Sequence, residues 1–138
     1  MRYASEIASE ASANFVLLVE DDEVLREELA RALRLSSFRV LTAGSALKAL
    51  ELVREYDGLI DWLVTDVELG EMSGVHVAFE YRFMNPTRPI VFLTGFDRPS
   101  AVASMSGSTL LQKPFSAAEL VGILDRFRDA VQGDTIGL

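Results

Sequence analysis

Five short, largely apolar runs recur along the chain, and a segment of helical character follows each of them. The runs are FVLLV (15–19), FRVLT (38–42), LIDWLVT (59–65), PIVFLT (89–94) and STLLQ (108–112). Strands this apolar must be covered on both faces, which is the condition of a parallel sheet between two helix layers. After the first run, Leu25, Leu29 and Leu33 recur at four-residue spacing. Gly44 and Ser45 open a second helical stretch through Leu47, Leu50 and Val53, which ends near Asp57 and Gly58. A turn-like stretch at 68–74 leads to a third through Val75, Ala78 and Phe79. A weaker, Ser-rich helix is expected at about 98–106, stopped by Gly107. Ser116-Ala117-Ala118-Glu119 has the form of a capping box, and Leu120, Ile123, Leu124, Phe127 and Val131 follow at helical spacing. Five strands alternating with five helices in 138 residues predict one doubly wound α/β domain over 14–131. Residues 1–13, rich in Ala, Ser and Glu, are expected to form an N-terminal arm. Residues 132–138 are expected to form a C-terminal tail, frayed from Gly133. No linker or second domain is expected.

Composition removes several function classes. The chain has no cysteine and one histidine, so disulfide scaffolds, thiolate metal sites and histidine-rich metal sites are excluded. Thirteen basic against twenty-one acidic residues give a net charge of −8, which opposes direct nucleic-acid binding. No apolar run is long enough for a transmembrane span, and the N-terminus has no apolar core of a secretory signal. A cytoplasmic protein without membrane association is the expectation.

The polar residues stand in a telling place. Glu20 and Asp21 follow the first run, Asp66 the third, Thr94 ends the fourth, and Lys113 follows the fifth. In open α/β sheets the carboxyl edge of the strands is where ligands bind, near the point where strand order reverses. Three carboxylates gathered there repel, and one must hold a proton unless a cation sits between them. Oxygen ligands in small number suit Mg²⁺, which keeps several waters and accepts a phosphate oxygen. Lys113 adds a point charge for a phosphate and Thr94 a hydrogen-bond donor. A carboxylate nucleophile, Mg²⁺, a hydroxyl and a lysine make a site for phosphoryl transfer.

These segments together resemble the receiver domain of bacterial two-component response regulators over roughly residues 14–131. VLLVEDDEVLRE resembles the family's first strand and acidic pair, and LVTDVELGEMSG its phosphoacceptor loop, with Gly74 eight residues after Asp66. FLTG resembles the fourth-strand end and LLQKPFSAAEL the Lys-Pro segment. The wording is most like receivers attached to hybrid histidine kinases, although here a stand-alone domain is expected. The resemblance implies a three-layer, flavodoxin-like fold with a five-stranded parallel sheet in the order 2-1-3-4-5. It implies that Asp66 accepts a phosphoryl group from a histidine kinase or histidine phosphotransfer protein. Asp21, Glu20, Asp66 and the backbone carbonyl of Glu68 would hold Mg²⁺. Thr94 would bond the phosphoryl group, Lys113 would pair with it, and a cis peptide would precede Pro114. Output would pass to an unknown protein effector, with a homodimer left open.

The chain departs from the family in places. Gly70 stands where Pro is usual and Leu110 where an aromatic residue is common. The segment from Thr94 to Lys113 is shorter than in typical members, so the family's usual dimer is not assumed. Glu68 and Phe96 occupy positions that flank the phosphoryl group. His76 is expected at the surface. Trp62 lies four residues, ~13 Å along a strand, before Asp66 and is expected to pack in the core. Asp22 and Glu23 are expected to supply favourable negative charge at the N-terminus of the first helix. Two other functions compete with a switched binding module. One is a Mg²⁺-dependent phosphohydrolase with an aspartyl nucleophile, disfavoured because Glu68 stands where such enzymes carry a second Asp. The other is a degenerate receiver that serves only as a docking module.

Overall fold

The computed structural model describes residues 14–70, 72–95 and 105–136, with side chains of the last helix as far as Arg128. The strands are β1 (Phe15–Val19), β2 (Arg39–Ala43), β3 (Trp62–Asp66), β4 (Glu68–Leu69), β5 (Met72–Ser73), β6 (Ile90–Thr94) and β7 (Ser108–Gln112). The helices among the described residues are α1 (Glu23–Leu35), α2 (Ala46–Glu55), α3 (Gly74–Met84) and α4 (Ala117–Ile136). The five apolar runs form one parallel sheet in the order β2-β1-β3-β6-β7, while β4 and β5 make a separate antiparallel hairpin. With the hairpin set aside, this is the expected flavodoxin-like order.

Period-two alternation along the strands divides the core into two layers. Leu17, Val19, Leu63 and Phe92 face α2 and α3, where Leu50, Val53, Val77 and Tyr81 meet them. Val16, Leu18, Val64 and Leu93 face α1 and α4, where Leu29, Leu33, Leu120 and Leu124 meet them. Trp62 lies in this second layer, its ring edge-on to Phe127 with centroids 5.4 Å apart. The capping box at the start of α4 is reciprocal: the Ser116 N–H donates to Glu119 Oε1 (3.0 Å) and the Glu119 N–H to Ser116 Oγ (3.1 Å).

Several boundaries differ from the sequence reading. β3 begins at Trp62 rather than Leu59. Gly58 takes φ +78° in a turn closed by the Leu59 N–H to the Tyr56 carbonyl (2.9 Å). Asp61 then turns its carboxylate to the Asn14 and Phe15 N–H groups. Leu47 and Phe79 are surface residues, 66% and 63% exposed. On α3 the buried stripe is Gly74, Val77, Ala78 and Tyr81, so Phe79 falls on the other side. The Tyr81 hydroxyl donates to the Ile60 carbonyl (2.8 Å), which lets the larger ring take the interior place. The helical backbone of α4 continues past Val131 and Gly133 to Ile136, a Gly inside a helix costing only about 1 kcal/mol relative to Ala. The expected arm (1–13) and most of the expected Ser-rich helix (96–104 of the chain) lie outside the described residues. Gly107 lies in the turn before β7, at φ +75°, and its carbonyl accepts the Ile90 N–H (3.2 Å).

Candidate functional site

Strand order reverses around β1: β2 lies on one side of it and β3 on the other. The carboxyl ends of β1 and β3 therefore open onto the crevice of this fold class. Glu20 leaves β1 into that crevice. Its N–H still donates to the Ala43 carbonyl (3.1 Å), so the ladder to β2 holds it for one more residue. Its side chain is wholly buried, with Oε2 accepting the Asp22 N–H (3.1 Å). Asp21 is exposed at the rim. Asp22 and Glu23 place negative charge at the start of α1 as the sequence reading expected, and Asp22 is in addition its N-cap, accepting the Leu25 N–H (3.2 Å).

Asp66 is the last residue of β3 and only 5% exposed. Its Oδ1 accepts the Glu68 N–H (3.2 Å) and its Oδ2 lies 3.0 Å from Lys113 Nζ. Lys113 Nζ also bonds Glu20 Oε1 (3.1 Å), so one ammonium bridges two carboxylates. Lys113 is placed by its own N–H, which donates to the Thr94 carbonyl (2.6 Å). The peptide between Lys113 and Pro114 is cis, as the resemblance implied. Thr94 is buried at the end of β6, next to β7 in register with Gln112. One oxygen each from Glu20, Asp21 and Asp66 falls within 4.8 Å of the others.

Two features of this site have only a weak trace in the sequence. The first is Gly74. A Cβ there would lie 1.8 Å from the Asp66 carbonyl oxygen and 2.8 Å from Thr65 Oγ1. The start of α3 is packed onto the strand end that carries Asp66, and its N–H donates to the Val67 carbonyl (2.7 Å). The second is the hairpin at 68–73. Gly70 takes φ +70° in it, a conformation Pro cannot adopt. A proline at this position is therefore incompatible with the turn that this chain makes. Glu68 is exposed on β4, half-exposed Leu110 lies on β7, and His76 is exposed on α3 away from the cluster. Phe96 lies outside the described residues.

The electrostatics follow from burial. Burial drives the Glu20 carboxyl up to about 7, aided by the charge of Asp66 and opposed by the Asp22 N–H and Lys113. For Lys113, burial pulls downward, but the bonds to Asp66 and Glu20 prevail and hold it above its usual value. Three carboxylates against one ammonium leave two negative charges in excess when all are ionised. An all-oxygen cluster with that excess fits a hard divalent cation, and Glu20 resists ionising chiefly because it is buried, with the charge of Asp66 adding to this. The chemistry on offer is an anchored carboxylate able to act as a nucleophile beside groups that hold anionic oxygens.

A parallel sheet with such a cluster at its switch point defines the class of α/β domain built to handle phosphoryl groups. The chain belongs to the response regulator receiver domain family, whose model matches residues 16–125. It is 33% identical over 108 residues to the sensor kinase CckA of Brucella abortus (strain 2308), covering 76% of this chain and 11% of that protein. It is 31% identical over 117 residues to the response regulator receiver protein CpdR of the same organism, covering 80% of this chain and 93% of that one. Among solved structures, a response regulator receiver protein from Sinorhizobium medicae WSM419 superposes with a TM-score of 0.77 at 28% identity, covering 86% of this chain and 97% of that one. The response regulator TrrA from Thermotoga maritima, in complex with Mg²⁺-BeF, superposes with a TM-score of 0.70 at 25% identity, covering 82% and 97%. The chain spans less than half the length of several curated relatives it matches, CckA among them. Phosphorylation on Asp and binding of Mg²⁺ are general properties of this family, whose members interact with histidine kinases or phosphotransfer proteins and are in general signalling modules rather than enzymes. No helix among the described residues is long and apolar enough to cross a membrane.

Proposed function

We propose that this chain acts as a response-regulator receiver that accepts a phosphoryl group on Asp66, in the cytoplasm, and signals through protein–protein contacts. The observation that carries this reading is the position of the Asp66 carboxylate: buried, aimed at Lys113 Nζ, and within 4.8 Å of carboxylate oxygens from Glu20 and Asp21. An Asp66 oxygen attacks the phosphorus of a phosphohistidine on a kinase or phosphotransfer protein. The P–N bond breaks, and the imidazole nitrogen keeps the electron pair and takes up a proton. Lys113 exchanges part of its bonding to Asp66 for a phosphoryl oxygen, and the Thr94 hydroxyl donates to another. Glu20, Asp21, Asp66 and the Glu68 carbonyl are the residues that would hold Mg²⁺, which when bound neutralises the excess carboxylate charge and that of the phosphoryl oxygens. Glu68 is a poor general acid for hydrolysis of small phosphomonoesters, since it is exposed and contacts Asp66 through its N–H. That favours a switch over a phosphohydrolase.

The test is intact mass after incubation with acetyl phosphate, with and without Mg²⁺, for wild type and Asp66→Asn. One added phosphoryl group that needs Mg²⁺ and is absent in the variant is the expected result. No adduct, together with no spectral change on adding beryllofluoride and Mg²⁺, overturns the acceptor role.

A further inference from the structure

Arg26 occupies an unfavourable place. It lies in the first turn of α1, where the helix dipole disfavours a cation. Its backbone N–H makes the ordinary helical bond to the Asp22 carbonyl (2.8 Å). Its guanidinium, half-buried, reaches back past the N-cap, and Nη1 donates to the main-chain carbonyl of Glu20 (2.9 Å). The guanidinium packs against Gly44 with Nη1 nearest, where an added Cβ would be 2.9 Å from Nη1. A residue just past β2 has therefore left room for an arginine that holds the end of β1.

The peptide it holds is the one leading into Asp21. Glu20 and Asp66 each have side-chain bonds that fix them: Glu20 to Lys113 and the Asp22 N–H, Asp66 to Lys113 and the Glu68 N–H. The exposed Asp21 carboxylate is instead aimed by its backbone. That backbone is pinned on one side by Arg26 at the Glu20 carbonyl and on the other by Glu20 Oε2 at the Asp22 N–H. We propose that Arg26 is a positioning residue for the Mg²⁺ site, acting through the Glu20–Asp21 peptide, and that Gly44 is the space which permits it.

This inference rests on the proposed acceptor site. It also makes a prediction opposite in sign to simple electrostatics. A cation beside an acidic cluster repels Mg²⁺, so removing it without other effect tightens Mg²⁺ binding. If Arg26 aims Asp21, removing it weakens binding, by about tenfold as for supporting residues around other metal sites.

The experiment is calorimetric titration of the full chain with MgCl₂ at fixed ionic strength, for wild type, Arg26→Gln, Arg26→Lys and Gly44→Ala. A roughly tenfold loss in Arg26→Gln, partial recovery in Arg26→Lys, and a loss of the same sign in Gly44→Ala are expected. Gly44→Ala leaves every charge in place and displaces only the guanidinium, so it also stands in if Arg26→Gln does not fold. At saturating Mg²⁺ the rate of Asp66 phosphorylation by acetyl phosphate returns close to wild type, because only metal affinity is affected. Binding in Arg26→Gln that equals or exceeds wild type overturns the proposal. A wild-type chain that binds no Mg²⁺ overturns the acceptor site itself, a separate outcome.

Discussion

At the scale of single residues, the site depends as much on what is small as on what is charged. Asp66 is kept in place by bonds to its side chain and by the close approach of Gly74 to its carbonyl. Gly74→Ala puts a methyl group inside the van der Waals distance of that oxygen, and the nearest atom is backbone, which cannot step aside alone. We expect a loss of about 3 kcal/mol in stability, measured by urea denaturation, from overpacking against a rigid strand end. We also expect labelling by acetyl phosphate to fall by about a hundredfold, since a displacement near 1 Å at a reacting group has effects of that size. A Gly74→Ala variant that unfolds and labels like wild type contradicts this account. The charged members of the site were legible because they stand at the ends of apolar runs, which is visible in one dimension. That Gly74 touches Asp66, and that Arg26 bonds the Glu20 carbonyl, depends on how α3 and α1 return to the sheet. No local pattern encodes either contact.

At the scale of elements, strand positions were legible to within a few residues, and two ranges, 15–19 and 108–112, coincide with β1 and β7. The misplaced start of β3 has a physical cause in Asp61, which stitches the beginning of β1 to the approach of β3. Its N–H donates to the Phe15 carbonyl (2.8 Å), and its Oδ2 accepts the Phe15 N–H (3.0 Å) and the Asn14 N–H (3.2 Å). Inside an apolar run an aspartate reads as an interruption, whereas here it replaces the missing ladder partner. The faces of α2 and α3 were read less well. Small residues such as Ala46 and Ala49 set the approach of helix to sheet, and a search for large apolar residues passes over them. Burial raises the pKa of Asp61, although the Phe15 and Asn14 N–H groups and the charges of Arg88 and Arg39 oppose it, and Tyr81 is the other titratable group near it. A raised folded-state value means that the folded chain binds this proton more tightly than the unfolded one. The stability contributed is complete below about pH 4 and is lost as pH rises through the folded value. Asp61→Asn keeps a carbonyl oxygen for both N–H groups and removes the titration. Its stability relative to wild type is therefore expected to grow as pH rises from about 4 to 7. Urea denaturation at several pH values checks this, and a difference that stays constant or shrinks with pH contradicts it.

At the scale of the whole molecule, the candidate site exists only in the folded chain. Glu20 and Lys113 are 93 residues apart in sequence, and Asp66 and Lys113 are 47 apart, yet one ammonium joins all three side chains. Four strand ends contribute, and each is delivered by the parallel order β2-β1-β3-β6-β7. An unfolded chain offers only scattered carboxylates to a divalent cation. A cation that binds the folded state selectively must stabilise it in proportion to RT ln(1 + [L]/Kd), or about 2.7 kcal/mol at a hundred times Kd. For a domain of this size that corresponds to a rise in Tm of roughly 8–10 °C. The acidic cluster also gathers three carboxylates around one ammonium, and burial drives the Glu20 carboxyl up to about 7. Two effects of added salt must therefore be separated. General screening acts on all the surface charge of a chain at −8 and is produced equally by Na⁺ or Mg²⁺ at one ionic strength. Site binding is produced by Mg²⁺ alone and needs the rim carboxylate. Thermal unfolding of wild type in MgCl₂ and in NaCl of matched ionic strength is expected to differ by several degrees. Asp21→Asn, which removes a carboxylate charge from an exposed position with little effect on packing, is expected to lose most of that difference. Equal Tm values for wild type in the two salts would mean that the three carboxylates are gathered at the switch point without forming a metal site.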